Sequence, residues 1–97
     1  MVKSVSRDEL LAIRRELKDA GQTFIFTNGC FDLLHRGHVE YLQQARALGD
    51  CLAVGLNDDK SVRTLKGPDH PIMPQQDRAA LLAALECVSH VCIFREK

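Results

Sequence analysis

The chain has no long apolar run, no excess of either charge and no cysteines paired at metal-ligand spacing, and each lack narrows its reading. No stretch approaches the ~20 apolar residues of a membrane span, and Met1-Val2-Lys3-Ser4-Val5-Ser6 lacks the apolar core of a signal peptide. The cytoplasm is therefore the expected compartment, with no membrane partner. The 13 basic residues are matched by 13 acidic ones, for a formal net charge of +0. No basic stripe is available to neutralise a phosphate backbone, so no nucleic-acid partner is expected. Cys30, Cys51, Cys87 and Cys92 contain no C-x-x-C pair and mostly sit in apolar surroundings, which suits free thiols better than disulfides or zinc ligands. Neither G-x-G-x-x-G nor a Walker A pattern occurs, so an NAD fold and a P-loop kinase lack support. Repeats, low-complexity stretches and an interdomain linker are also missing. With 97 residues and 45% apolar content, one domain over 1–97 is expected.

What is present alternates helix and strand. Ser6-Arg7-Asp8-Glu9 reads as a capping box, followed by Leu10, Ile13, Leu17 and Ala20 at helical spacing and by Gly21 as the stop, which makes 1–21 an N-terminal helical prefix. The remainder, 23–97, reads as an α/β core. Residues 23–27 form a first strand and 37–48 a helix closed by Gly49. The run 51–56 is too continuously apolar for a half-exposed strand and fits a parallel strand covered on both faces. A short helix over 58–65, a loop over 66–73, a helix over 74–85 led by Pro74 and a strand over 88–94 complete the pattern. Asp58 and Asp59 suit helix capping, Leu81, Leu82 and Leu85 the core, and His70 and His90 structural positions. This is half of a doubly wound, Rossmann-like parallel sheet with strand order 3-2-1, whose ligands bind beyond the carboxyl ends of the strands.

At one such end stands His35-Arg36-Gly37-His38. The first strand runs through a small-residue turn into a helix, and a helix N-terminus offers unpaired N–H groups and a positive dipole end to an anion. A His-x-x-His pair alone fits a solvated or capping pair, half of a metal site, or a phosphate site whose imidazoles donate to negative charge as it grows. Gly37 costs roughly 1 kcal/mol within a helix, which implies that something approaches the backbone there.

The segment Asn28-Gly29-Cys30-Phe31-Asp32-Leu33-Leu34-His35-Arg36-Gly37-His38 resembles the signature of the HxGH nucleotidyltransferases, the cytidylyltransferase-like superfamily. Downstream, 45–50, 54–59, Ser61-Val62-Arg63-Thr64-Leu65-Lys66-Gly67 and Pro71-Ile72-Met73-Pro74-Gln75-Gln76-Asp77-Arg78 look like the bacterial heptose 1-phosphate adenylyltransferases, which stand alone or form the C-terminal half of a bifunctional kinase/adenylyltransferase. The resemblance implies transfer of a nucleotidyl group from ATP to a sugar 1-phosphate, with pyrophosphate released and no enzyme nucleophile. The protein's part in such a reaction is alignment and charge stabilisation.

By the same resemblance, His35 and His38 contact the nucleotide's phosphates. Thr27, Asn28, Gly29 and Phe31 line the turn, and Gly37 lets the backbone approach. Lys66 belongs to a mobile loop that closes on phosphate oxygens, and Arg78 reaches toward the triphosphate. Asp32 matches an acidic position whose role stays open between sugar contact, metal contact and turn capping. Mg²⁺ is implied with the triphosphate, carried on its own oxygens and not in a protein cage. The family continues beyond a third strand into two more strands and a C-terminal helix with a Ser/Thr-rich start, and nothing here matches that segment. The expectation is an incomplete fold: a C-terminally truncated sequence, or a homo-oligomer covering the open edge of the first strand. The alternatives are a CTP-dependent enzyme acting on glycerol 3-phosphate and a catalytically incomplete nucleotide-binding or assembly module.

Overall fold

The first helix begins where the capping box marks it. In the computed structural model, which describes residues 3–95, α1 spans Arg7–Asp19 with Ser6 as its N-cap. The Ser6 hydroxyl accepts from Glu9 N at 3.1 Å and the Glu9 carboxylate accepts from Ser6 N at 2.9 Å, satisfying two donors that helix geometry leaves orphaned. Leu10, Ile13 and Leu17 are half-buried along one stripe, whereas Ala20 is exposed beyond the last turn. Met1, Val2, Glu96 and Lys97, which the single-domain expectation includes, lie outside the described residues.

Three strands, β1 (Phe24–Gly29), β2 (Cys51–Asn57) and β3 (His90–Phe94), form one parallel sheet in the order β1-β2-β3. This is the 3-2-1 order read from its other edge. The register runs from Phe24 opposite Cys51 to Gly29 opposite Leu56, then from Ala53 opposite His90 to Asn57 opposite Phe94. Every residue of β2 is buried, as its unbroken apolar run requires of a central strand. The crossovers are α2 (Arg36–Arg46), between β1 and β2, and the pair α3 (Asp59–Lys66) and α4 (Gln75–Ala83), between β2 and β3.

Side chains alternate across the sheet, so each face packs its own layer. Leu52, Val54, Leu56 and Val91 meet Leu42 and Ala45 of α2 and Ala79 and Leu82 of α4 in the main core. Each fully buried Leu or Val there contributes roughly 1.5–3 kcal/mol by leaving water. On the opposite face α1 lies over the sheet, with Leu10 and Leu11 across from Phe24, Phe26 and Phe94 around an apolar cavity of about 810 Å³.

Some expectations shift. β1 continues two residues further, to Gly29, and Lys66 ends α3 instead of opening the next loop, with Gly67 at φ 104 closing the helix. Leu81 is 43% exposed, because α4 turns Ala79 and Leu82 inward and leaves the intervening position outside. The lead into α1 runs beside β3, where Val5 N donates to Val91 O and Val91 N to Lys3 O, both at 2.9 Å. The outer edge of β1 consequently has no strand partner among the described residues, and Phe26 on it is 48% exposed. Among the described residues no helix is long and apolar enough to cross a membrane.

Candidate active site

The two signature histidines cap their own helix. His35, with extended backbone at φ −133, is the N-cap of α2, and its Nδ1 accepts from Gly37 N at 3.0 Å. His38 Nδ1 accepts in turn from His35 N at 3.2 Å, and the two ring centroids lie 4.0 Å apart. An imidazole nitrogen that accepts from a backbone N–H carries no proton, so in each neutral ring the hydrogen sits on Nε2. Capping and ligand binding are thus compatible: one nitrogen accepts from the backbone at the start of the helix and the other keeps its N–H as a donor. Gly37 also finds its reason here. A Cβ at that position would stand 2.8 Å from His35 Cε1, so what approaches the backbone is the ring of His35 itself.

The turn that delivers the histidines is strained and then clamped. Phe31 adopts φ 46, a left-handed conformation that costs a non-glycine residue on the order of 1–3 kcal/mol. Its ring folds back over Gly29, where a Cβ would meet it at 2.9 Å, and presents an edge to His38 with centroids 5.4 Å apart. Phe31 is buried with the core, so it joins the site as a wall. On either side of it the chain is fastened. Arg78 Nη1 donates to Cys30 O at 2.7 Å, and the Asp32 carboxylate accepts from Ile72 N, Met73 N and His70 Nδ1 at 2.8–3.0 Å.

Asp32 therefore ties the turn to the loop before α4 by accepting from remote backbone. Its burial opposes ionisation, but the bonds from His70, Ile72 and Met73 outweigh that cost and hold its pKa down to about 2. Because the folded value lies below the unfolded value of 3.8, the carboxylate contributes stability above pH 3.8 that is lost as pH falls toward 2. The contribution amounts to about 2 kcal/mol. Acid titration of unfolding free energy is expected to show a slope in that window which Asp32→Asn removes; an unchanged slope would assign the acid sensitivity elsewhere.

Arg78 departs from its expected place. Instead of reaching toward a triphosphate it is 1% exposed, donating from Nε to Met73 O at 3.0 Å, from Nη1 to Cys30 O and Asn57 O, and from Nη2 to Asp59 Oδ1 at 2.7 Å. The guanidinium joins the ends of β1 and β2 to α3 and the loop before α4. Asp59, expected as a cap, is its ion-pair partner, while Asp58 does cap α3, accepting from Ser61 N at 2.8 Å.

Beyond the end of β1 a pocket of about 360 Å³ is lined by Asn28, Gly29, Cys30, Phe31, His38, Tyr41 and Lys66. Lys66 is exposed at the end of α3, where its charge reaches His38. Burial first, then His35 and Lys66, lower the His38 pKa from its ordinary 6.5, which favours the neutral ring. Thr27 stands just behind, its hydroxyl 2.9 Å from the Tyr41 hydroxyl. Tyr41 escaped the sequence reading, although its place three residues after His38 puts both on one helix face. His70 is structural, as expected. His90 is packed with its Nδ1 unpartnered among the described residues, and burial lowers its pKa.

The profile of the cytidylyltransferase-like family matches residues 26–97, which takes in β2, β3, all but the first two residues of β1, and this pocket. The chain belongs to the cytidylyltransferase-like family. Similar members include the bifunctional protein HldE of Wolinella succinogenes, 54% identical over 93 residues, and that of Helicobacter pylori strain P12, 61% identical over 75 residues. These matches cover 96% and 77% of the chain but 20% and 16% of the relatives, so the chain spans about a fifth of their length. A crystal structure of the lipopolysaccharide core biosynthesis protein from Thermoplasma volcanium superposes with a TM-score of 0.71 at 32% identity, over 77% of this chain and 60% of that one.

Proposed function

We propose that the chain transfers the adenylyl group of ATP to a heptose 1-phosphate in the cytoplasm, forming ADP-heptose and pyrophosphate. A phosphate oxygen of the sugar attacks the α-phosphorus, the bond to the β-phosphate oxygen breaks, and pyrophosphate leaves with that electron pair. The acceptor is already an anion, so no side chain has to become a nucleophile. The observation that carries the reading is the pair of capping imidazoles: His38, whose Nδ1 accepts and whose Nε2–H remains a donor, lines the pocket where Lys66 adds positive charge, and the His35 ring lies beside it at 4.0 Å. Donors fixed before charge develops stabilise it without reorganisation. ATP and heptose as substrates rest on the likeness to HldE and to the heptose branch.

Mg²⁺ is proposed to enter on the triphosphate's own oxygens. His35, His38 and Lys66 present N–H donors and positive charge, which suit phosphate oxygens and not a cation, and the nearby carboxylate of Asp32 is committed to His70, Ile72 and Met73. Incubation of the chain with Mg²⁺, ATP and heptose 1-phosphate is expected to release pyrophosphate and yield ADP-heptose, with CTP a poorer donor. ATP binding without pyrophosphate would overturn the transfer reading in favour of a binding module.

A further inference from the structure

The geometry points to Tyr41, backed by Thr27, as the sugar-recognising wall of the pocket, taking a hydroxyl-bearing ring beside the phosphates; this rests on the nucleotidyl-transfer reading above. The pocket's lining is asymmetric in chemistry. His38 and Lys66 supply N–H donors and positive charge, whereas Tyr41 supplies a neutral hydroxyl and an aromatic face. Phosphate oxygens gain most from the former, because charge-assisted hydrogen bonds are roughly twice as strong as neutral ones. The uncharged part of a ligand is left for the latter.

The Tyr41 phenol is held ready for such a part. Its oxygen lies 2.9 Å from Thr27 Oγ1, so one hydroxyl donates to the other. Each hydroxyl has one donor and two acceptor sites, and their mutual bond leaves one O–H donor and several lone pairs unspent. A donor beside acceptors at fixed spacing matches neighbouring sugar hydroxyls, which donate and accept together. The ring of Tyr41, a residue 52% exposed on the pocket wall, gives the apolar C–H face of a sugar a flat surface. A Tyr–Thr bond serving stability alone has little to gain at that exposure, since water competes for both hydroxyls. The position also fits. Three residues beyond His38, Tyr41 lies about one helical turn, roughly 5 Å, along α2 from the imidazole.

A sugar ring could come from the acceptor or from the ribose of ATP, and calorimetric titration separates the two. Heptose 1-phosphate and ATP are titrated separately into wild type and Tyr41→Phe, a substitution that keeps the ring and removes the hydroxyl from an exposed site. A roughly three- to tenfold weaker affinity is expected for one of them, the size of one neutral hydrogen bond. Loss confined to heptose 1-phosphate assigns the wall to the acceptor, and loss confined to ATP assigns it to the ribose. Equal affinities in both proteins, or no binding of either ligand, would overturn the proposal. Pyrophosphate release by the wild type is scored on its own, so failure of the transfer reading and failure of this wall remain distinct results.

Discussion

Replacing His38 by alanine is expected to lower turnover by roughly 10²–10³, about 2.7–4 kcal/mol, which is the usual cost of losing one preplaced donor to developing charge. The fold should survive. The substitution also removes the acceptor for His35 N, a helix cap worth about 1 kcal/mol, which for a domain of this size shifts the melting temperature by roughly 4–8 °C. His35→Ala follows the same logic through Gly37 N and should give a similar split between rate and stability. The pH dependence adds a test that a purely capping pair would not pass. The His38 pKa lies below its ordinary 6.5 in the free protein, so the unfolded chain takes up this proton first and stability falls as pH drops below about 6.5. A bound triphosphate should raise that pKa, because phosphate oxygens favour the protonated ring. Ring-proton titration by NMR with and without ATP reads the change. Equal turnover in wild type and His38→Ala, together with an unmoved titration, would reduce both histidines to helix caps.

The histidine turn was legible in the sequence because its signals are local. A strand, a small-residue turn and a His-x-x-His pair at a helix start occupy a few consecutive residues, and hydrogen bonds between positions two and three apart complete the arrangement. The same holds for the capping box at Ser6 and for β2, whose seven residues are all buried as their apolar run demands. Side chains that act at long range were not legible. Arg78 finds two of its three carbonyl partners 48 and 21 residues away, at Cys30 and Asn57, and nothing in the pattern around it distinguishes a guanidinium that binds phosphate from one that binds backbone. Asp32 is ambiguous in the sequence for the same reason, since its partners Ile72 and Met73 lie 40 and 41 residues downstream. Lys66 sits one residue from its expected place: Gly67 and Pro68 advertise a loop, yet α3 runs through Lys66 before Gly67 ends it.

Arg78→Ala is expected to destabilise the domain more than any change in the pocket, by roughly 3–5 kcal/mol, the range found when one partner of a buried charged network is removed. The truncation deprives Met73 O, Cys30 O and Asn57 O of donors together and leaves Asp59 without its cation. It also releases Cys30, the residue just before Phe31, whose left-handed backbone has to be held against its own strain. At roughly 4–8 °C per kcal/mol for a domain of this size, the melting temperature should fall by more than about 10 °C. Arg78→Lys should recover little, because an ammonium group cannot reproduce the planar fork that spans four acceptors. Urea unfolding of the two variants against the wild type, read beside ATP affinity, separates this role from the one suggested by family resemblance. A buried tie predicts large losses of stability for both variants, with affinity lost only as far as the turn loosens. A phosphate ligand predicts the reverse: near-normal melting, affinity strongly reduced in Arg78→Ala, and substantial recovery with lysine, since a single positive charge can still meet phosphate. The four short bonds around the guanidinium and its 1% exposure favour the first outcome.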